Sequence, residues 1–320
     1  MDRNHLLAAL LSTPLLFAAG HAASAAYTVQ TVVDPTGNNF INLLGINNAG
    51  TIAGFDNNAP AQGFTLTLPT TFTPENVPGA AQTMVTAINN DGVTAGIYVD
   101  GAGNSHGFTK TGATFTTVDN PASTVFNQAL GINDANTTVG YYATTQAGTT
   151  GQVAYSQAGG SFTNINALLP GNSNSQAVGI NNSSDIVGFY QPTGVTSVGF
   201  LDKGAVISTI DPLGSTFTQA LGINDAGQIV GFYTDAGGTQ HGYVDTNGVL
   251  TTFDPTGSVN TTINGINGKG QIVGFFTNAS DQVVGFVGTP IPEPGTALVI
   301  PFIGLIAARM WRRRSYGGAC

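Results

Sequence analysis

From Tyr27 onward, short runs of β-branched and aromatic residues alternate with clusters of Gly, Asn, Asp and Thr, as in Tyr27-Thr28-Val29-Gln30-Thr31-Val32-Val33. Runs of this length and composition, bounded by turn residues, predict many short strands joined by tight turns. One phrase recurs six times, opening at Gly45, Ala87, Gly131, Gly179, Gly222 and Gly265, at spacings of 42, 44, 48, 43 and 43 residues. In the first copy Gly45-Ile46-Asn47-Asn48-Ala49-Gly50 leads to Ile52-Ala53-Gly54-Phe55, and in the fifth Gly222-Ile223-Asn224-Asp225-Ala226-Gly227 leads to Ile229-Val230-Gly231-Phe232. The Asn-Asp-x-Gly segment predicts a hairpin turn with positive-φ positions. The Ile before it and the Ile or Val after it are expected to be paired strand residues facing a core. The glycine before the aromatic (Gly54, Gly96, Gly140, Gly188, Gly231, Gly274) marks a close backbone approach or a bulge, with the following aromatic expected to pack over it.

Two further phrases share the period. One pairs glycine with an aromatic: Gly63-Phe64, Gly107-Phe108, Gly199-Phe200, Gly242-Tyr243 and Gly285-Phe286, with Ala154-Tyr155 as the variant copy. The other is a Thr/Val strand ending in a turn, as at Val118-Asp119, Ile210-Asp211-Pro212 and Phe253-Asp254-Pro255. Each unit of ~43 residues thus holds four short strands, the size of one propeller blade. The chain opens on a fourth-type strand and its repeats end on a third-type strand. The first strand can therefore complete the last blade and close a ring without free edges. The expected fold is all-β, a six-bladed β-propeller; a β-solenoid is the alternative and would leave its end strands uncapped.

Composition narrows the chemistry. Between Tyr27 and Thr289 the only cations are Lys110, Lys203 and Lys269, against fourteen Asp and Glu75, a net of −12 with no arginine. A nucleic-acid binder neutralises phosphates with Lys and Arg, so nucleic acid is not an expected partner. The single cysteine is Cys320, so the folded region contains neither disulfide nor reactive thiol. With 41% hydrophobic residues the chain is not of the disordered class.

Catalytic signals are sparse. His106 and His241 occupy equivalent repeat positions, as repeat residues do rather than members of one catalytic pair. There is no Gly-x-Ser-x-Gly elbow, and no cluster has zinc-ligand spacing, so neither metal nor cofactor is expected. Paired acids for glycoside hydrolysis could come from Asp91, Asp134 or Asp225, although Asp in these turns is first a turn residue. Glu75 has no evident partner in the sequence.

The two ends carry targeting patterns. Residues 1–26 have a weak positive start at Arg3, an apolar core over Leu6–Ala19 and small residues Ala23, Ala25 and Ala26 spaced for signal-peptidase cleavage. Residues 27–289 form the repeat domain. Residues 290–320 contain Pro292-Glu293-Pro294, an apolar run from Ala297 to Ala308, then Arg309 and Arg312-Arg313-Arg314. An apolar helix followed by arginines reads as a short membrane stop, with the arginines on the cytoplasmic side. This tail resembles the PEP-CTERM sorting signal, with a six-residue extension after the arginines and Pro301 inside the apolar run as departures. The resemblance implies an exosortase-type sorting enzyme as partner, with Pro292, Glu293 and Pro294 as recognition residues. It also implies transient inner-membrane anchoring before placement at the cell surface or outside the cell. The repeats resemble extracellular HAF-type repeats, with glycine replacing alanine in His106-Gly107-Phe108 and His241-Gly242-Tyr243. The expected function is a non-enzymatic surface or matrix module that binds extracellular polysaccharide. A propeller hydrolase or lyase using paired Asp is the alternative.

Overall fold

The protein is represented by a computed structural model that describes residues 26–33, 41–56, 60–69, 71–170, 174–192 and 196–292. Ala23, Ala25 and the tail from Glu293 through Arg312, Arg313 and Arg314 lie outside the described residues, as do Asp34 and Pro35. Tyr27–Ile291 forms one compact unit.

Its strands form six four-stranded antiparallel sheets. In five of them four consecutive strands meander from the axis outward, as in the first blade: Ile41–Ile46, Thr51–Asp56, Gln62–Thr67 and Thr71–Pro74. In the sixth, Ser258–Ile266, Ile272–Asn278 and Val283–Pro290 are joined on the outside by the first strand, Tyr27–Val32. That pairing runs in unbroken register from Tyr27↔Pro290 to Val32↔Gly285. The architecture is the six-bladed propeller closed by its N-terminal strand; the solenoid is ruled out because the last repeat returns to pack against the first. Asn264 Nδ2 donates to the Leu43 carbonyl at 2.8 Å across that junction.

The recurring phrase builds the axis. Every inner strand carries a bulge at the residue before the phrase, where the register slips between Leu43 and Gly45 and at the same step in the other five. A bulge leaves one residue out of the ladder and turns it to a new direction; here the extra residues, Leu44, Thr86, Leu130, Val178, Leu221 and Asn264, line the central channel. Opposite each bulge sits the glycine of the second strand. A Cβ at Gly188 would collide with the Gln176 carbonyl oxygen of the inner strand and lie 2.9 Å from the Phe200 ring. The aromatic covering this glycine is thus its cross-strand partner, Phe200, paired in register with Gly188, and not the Phe189 that follows it in sequence. The same substitution of partners holds for Phe64, Phe108 and Tyr155 over Gly54, Gly96 and Gly140. The sequence suggested the neighbour because both residues lie beside a glycine; alternation along a strand sends that neighbour to the other face.

The turns differ from the tight-hairpin expectation as well. Only the fourth residue has positive φ: Gly50, Gly92, Asn136, Ser184, Gly227 and Gly270. The turn itself is held by the first Asn, whose Oδ1 accepts from two backbone N–H groups, as Asn47 does from Ala49 and Thr51.

Between blades, three positions meet at each junction. They are aliphatic at Val32, Ile52 and Leu66, and polar at Glu75, Thr94 and Lys110. Glu75 is therefore partnered, contrary to its appearance in sequence: Oε1 accepts from Lys110 Nζ at 3.0 Å and Oε2 from Thr94 Oγ1 at 2.8 Å. The partners come from the next blade, which no local reading could supply. Removing one member of a buried ion pair strands the other, whereas replacing the whole set by apolar residues is often neutral or better. Lys110→Met is expected to cost about 2 kcal/mol. Combined Glu75→Val, Thr94→Ile and Lys110→Leu, the trio of the aliphatic junction, should restore or raise stability in denaturant titration.

Candidate functional site

The central channel is the first candidate. Its waist is an apolar cavity of about 240 Å³, walled by the bulge residues and by Ile46, Ile88, Ile132, Ile180, Ile223 and Ile266. One mouth is encircled by a hydrogen-bonded inner ring and an outer arc. In the inner ring, Asn47 Nδ2 donates to the Asn89 carbonyl, and the same bond passes through Asn133, Asn181, Asn224 and Asn267 back to Asn47, at 2.9–3.3 Å. All six asparagines are buried. In the outer arc the backbone N–H of Asn48, Asn90, Asp134 and Asn182 donates to the side-chain oxygen of the next blade's residue, and Gly268 N–H donates to Asn48 at 2.7 Å; the series is open between Asp225 and Gly268, which has no side-chain acceptor. Asn182 Nδ2 also bridges Asp134 and Asp225, at 2.7 and 2.9 Å. Burial alone would raise the Asp134 carboxyl, but the side-chain and backbone donors of Asn90 and the amide of Asn182 outweigh it and hold the group below its ordinary value. Asp134 and Asp225 are thus inter-blade acceptors as well as turn residues. Asp91 occupies the next turn position and is exposed.

The opposite face carries the second candidate. There the turns between second and third strands meet the linkers between blades. In the second blade His106 Nδ1 lies 2.7 Å from Asp119 Oδ2 and Nε2 lies 3.3 Å from Asp100 Oδ2, with the ring stacked on Tyr98 at 4.8 Å. The fifth blade repeats the arrangement with His241, Asp254 at 2.7 Å, Asp235 at 3.4 Å and Tyr233. At the equivalent position in the first blade Gln62 pairs with Asn76 at 2.6 Å. The histidines are repeat residues of two separate blades and do not meet.

Carboxylates only accept hydrogen bonds when ionised, so satisfying both requires both imidazole nitrogens to carry protons. Burial lowers the pKa of His106, but its bonds to Asp119 and Asp100 prevail and raise it above the ordinary value; His241 is raised in the same way by Asp254 and Asp235. Asp100 is held at about 2 by the backbone and side-chain amides of Asn104, helped by His106 and the Ala102 N–H. A histidine pKa raised by folding contributes stability that is complete below its unfolded value and is lost as pH rises through the folded one. NMR titration should give both histidines midpoints above about 6.5, and the Ala102, Asn104, Gly237 and Thr239 amides should exchange faster on the alkaline side. Placing Gln at both positions, as in the first blade, should abolish that dependence.

Among the described residues, no group of three or more His, Cys, Asp or Glu could hold a metal ion, and no helix is long and apolar enough to cross a membrane. Of the expected processing residues, Ala26 and Pro292 are exposed at the two ends of the described chain. The asparagine ring was not read from sequence as an inter-blade device. Its signal was present, since the first Asn is the same in all six copies while the next residue varies among Asn, Asp and Gly.

No family profile matches the chain, and no curated protein matches it. Solved structures similar to it include an Aleuria aurantia lectin mutant in complex with Fucalpha1-6GlcNAc (12% identity, 80% of this chain, 97% of that chain, TM-score 0.47). A gluconolactonase from Xanthomonas campestris is 11% identical over 83% of this chain and 90% of its own, with a TM-score of 0.48. A streptogramin B lyase is 11% identical over 81% and 97%, at 0.46. Binding proteins and enzymes both occur among these distant likenesses.

Proposed function

We propose that this is an exported surface or matrix protein, delivered through its signal peptide and an exosortase-read tail, whose propeller binds extracellular polysaccharide without turning it over. The observation that carries the non-enzymatic part is the state of the axial acids. A glycosidase needs one carboxyl with a raised pKa to protonate the leaving group. Asp134 is displaced in the opposite direction, and it and Asp225 are tied by Asn182 into the arc that joins adjacent blades. Moving either acid toward a substrate would break the inter-blade bonds that Asn182 makes. The −12 charge of residues 27–289 supports a neutral or cationic partner over nucleic acid or anionic lipid.

The test pairs two measurements on protein purified from its host. Affinity electrophoresis through host polysaccharide should retard the mature chain, while reducing-end assays after long incubation stay at background. Reducing ends that accumulate, and fall away in Asp134→Asn, would establish the hydrolase instead. Intact mass in strains with and without the sorting enzyme tests delivery. Loss of the arginine cluster only when the enzyme is present is expected, and its retention in both strains would mean a plain membrane anchor.

A further inference from the structure

The inter-blade junctions are not chemically alike. The position held by Lys110 in the second blade is Asp202 in the fourth and Asp245 in the fifth, from the same register opposite Ile186 and Ile229. Asp202 is buried. Asp245 instead faces an open cleft of about 400 Å³ between the fourth and fifth blades. Leu201, Ile210 and Ile229 form its apolar wall, Asp185 and Asp245 supply carboxylates, and Ser208 adds a hydroxyl at the rim. At the junction between the first two blades the corresponding space is occupied by the Glu75–Lys110 pair.

The acids of this cleft are unequally engaged. Asp225, which also borders it, accepts from Asn182. Asp185 Oδ2 accepts from Asn181 Nδ2 at 3.3 Å and lies 3.7 Å from Lys203, whose side chain is 72% exposed, an ion pair worth little in water. Asp245 Oδ1 caps the adjoining turn by accepting from Gly248 N–H at 2.7 Å, and no cation pairs with it among the described residues. The outer strands of these two blades are distinctive too. Val206 and Val249 open them at 66% and 57% exposure, where the first three blades place Thr71, Thr114 and Ser161.

We propose that this cleft binds an amine-bearing sugar unit of the hexosamine class. The ammonium group would lie against Asp245 and Asp185, ring hydroxyls would donate to the free carboxylate oxygens and Ser208, and the C–H face would rest on Leu201 and Ile210. A uronic acid would meet three carboxylates, Asp185, Asp225 and Asp245, and one solvated lysine, and is disfavoured. The proposal rests on the polysaccharide reading above and specifies the sugar and its seat.

Titration calorimetry of the mature chain at about pH 6, where carboxylates are ionised and amines protonated, can test it with three probes. These are glucosamine tetramer, its fully N-acetylated form and a galacturonate tetramer. The glucosamine tetramer should bind at least about tenfold more tightly than either of the others. Asp245→Asn retains the turn-capping oxygen and should lose about tenfold in affinity with an unchanged melting temperature, while Asp281→Asn, on an exposed turn of the sixth blade, should bind like the parent. Equal affinity for amine and acetamide, or an unaffected Asp245→Asn, overturns the proposal. A parent chain that binds host polysaccharide but ignores the glucosamine tetramer refutes the cleft assignment alone. One that binds neither refutes the polysaccharide reading as well.

Discussion

Removal of Tyr27–Val32 should lower the melting temperature by on the order of 10 °C and make the chain prone to aggregate. The strand supplies the whole outer edge of the sixth blade, six residues in unbroken register with Val283–Pro290. Tyr27 and Val29 also pack on the cluster containing Phe276 and Phe286, with the Tyr27 ring 5.2 Å from Phe253 of the fifth blade. Without it, Val283–Pro290 becomes an exposed edge, the template for pairing with another chain. The check is a thermal melt of the truncated chain with and without a synthetic peptide of residues 27–33. Mass action requires a peptide that fills the vacancy to raise the melting temperature in proportion to the logarithm of its concentration. An unchanged melt on truncation would mean that the remaining strands hold the ring by themselves.

The second large effect is expected from a single methyl group. Gly188→Ala places Cβ against the Gln176 carbonyl and the Phe200 ring, between an inner-strand bulge and a buried aromatic. Neither can move without disturbing the channel wall, and the cost should reach about 3 kcal/mol or more by denaturant titration. Gly50 provides the contrast. Its φ is +85° but a Cβ there would meet nothing within 4 Å. The equivalent turns hold Asn136 and Ser184 at positive φ, so Gly50→Asn should change stability by less than about 0.5 kcal/mol. Equal losses at the two sites would show that backbone conformation, and not the close approach, accounts for the second-strand glycine that recurs in all six repeats.

Blade number, strand count and the closing strand were legible because each is a matter of period and phase, which survive in one dimension. The pairing of Ile46 with Ile52, and of Ile180, Ile223 and Ile266 with their isoleucine partners, was legible for the same reason, whereas Ile88 and Ile132 pair with Thr94 and Thr138 instead. What escaped was everything that crosses a junction. Glu75 finds Lys110 thirty-five residues away, and Asn47 reaches the Asn89 carbonyl; neither relation has a local pattern. The aromatic over the glycine was assigned to the wrong strand because adjacency in sequence and adjacency across a ladder give different partners. The histidines were rightly taken as repeat residues, but their twin carboxylates come from a turn and a linker on either side, and only folding brings the three together.

The asparagine ring has a bearing on how such a chain can lengthen by duplication. Its hydrogen bonds place no limit on blade number, since every copy brings one amide donor and one carbonyl acceptor and a seventh would pass the bond along as readily. The limit is set two residues earlier. A Cβ on Gly179 would lie 3.1 Å from the Gly222 Cα, and one on Gly222 3.2 Å from the Gly265 Cα, a spacing at which inner strands already touch around the axis. A wider ring would pull those backbones apart and leave the glycines facing empty space. Five of the six copies hold glycine there and the second holds Ala87, so the ring tolerates one methyl at these contacts, and larger side chains in several copies at once would be the natural first step toward a propeller with more blades.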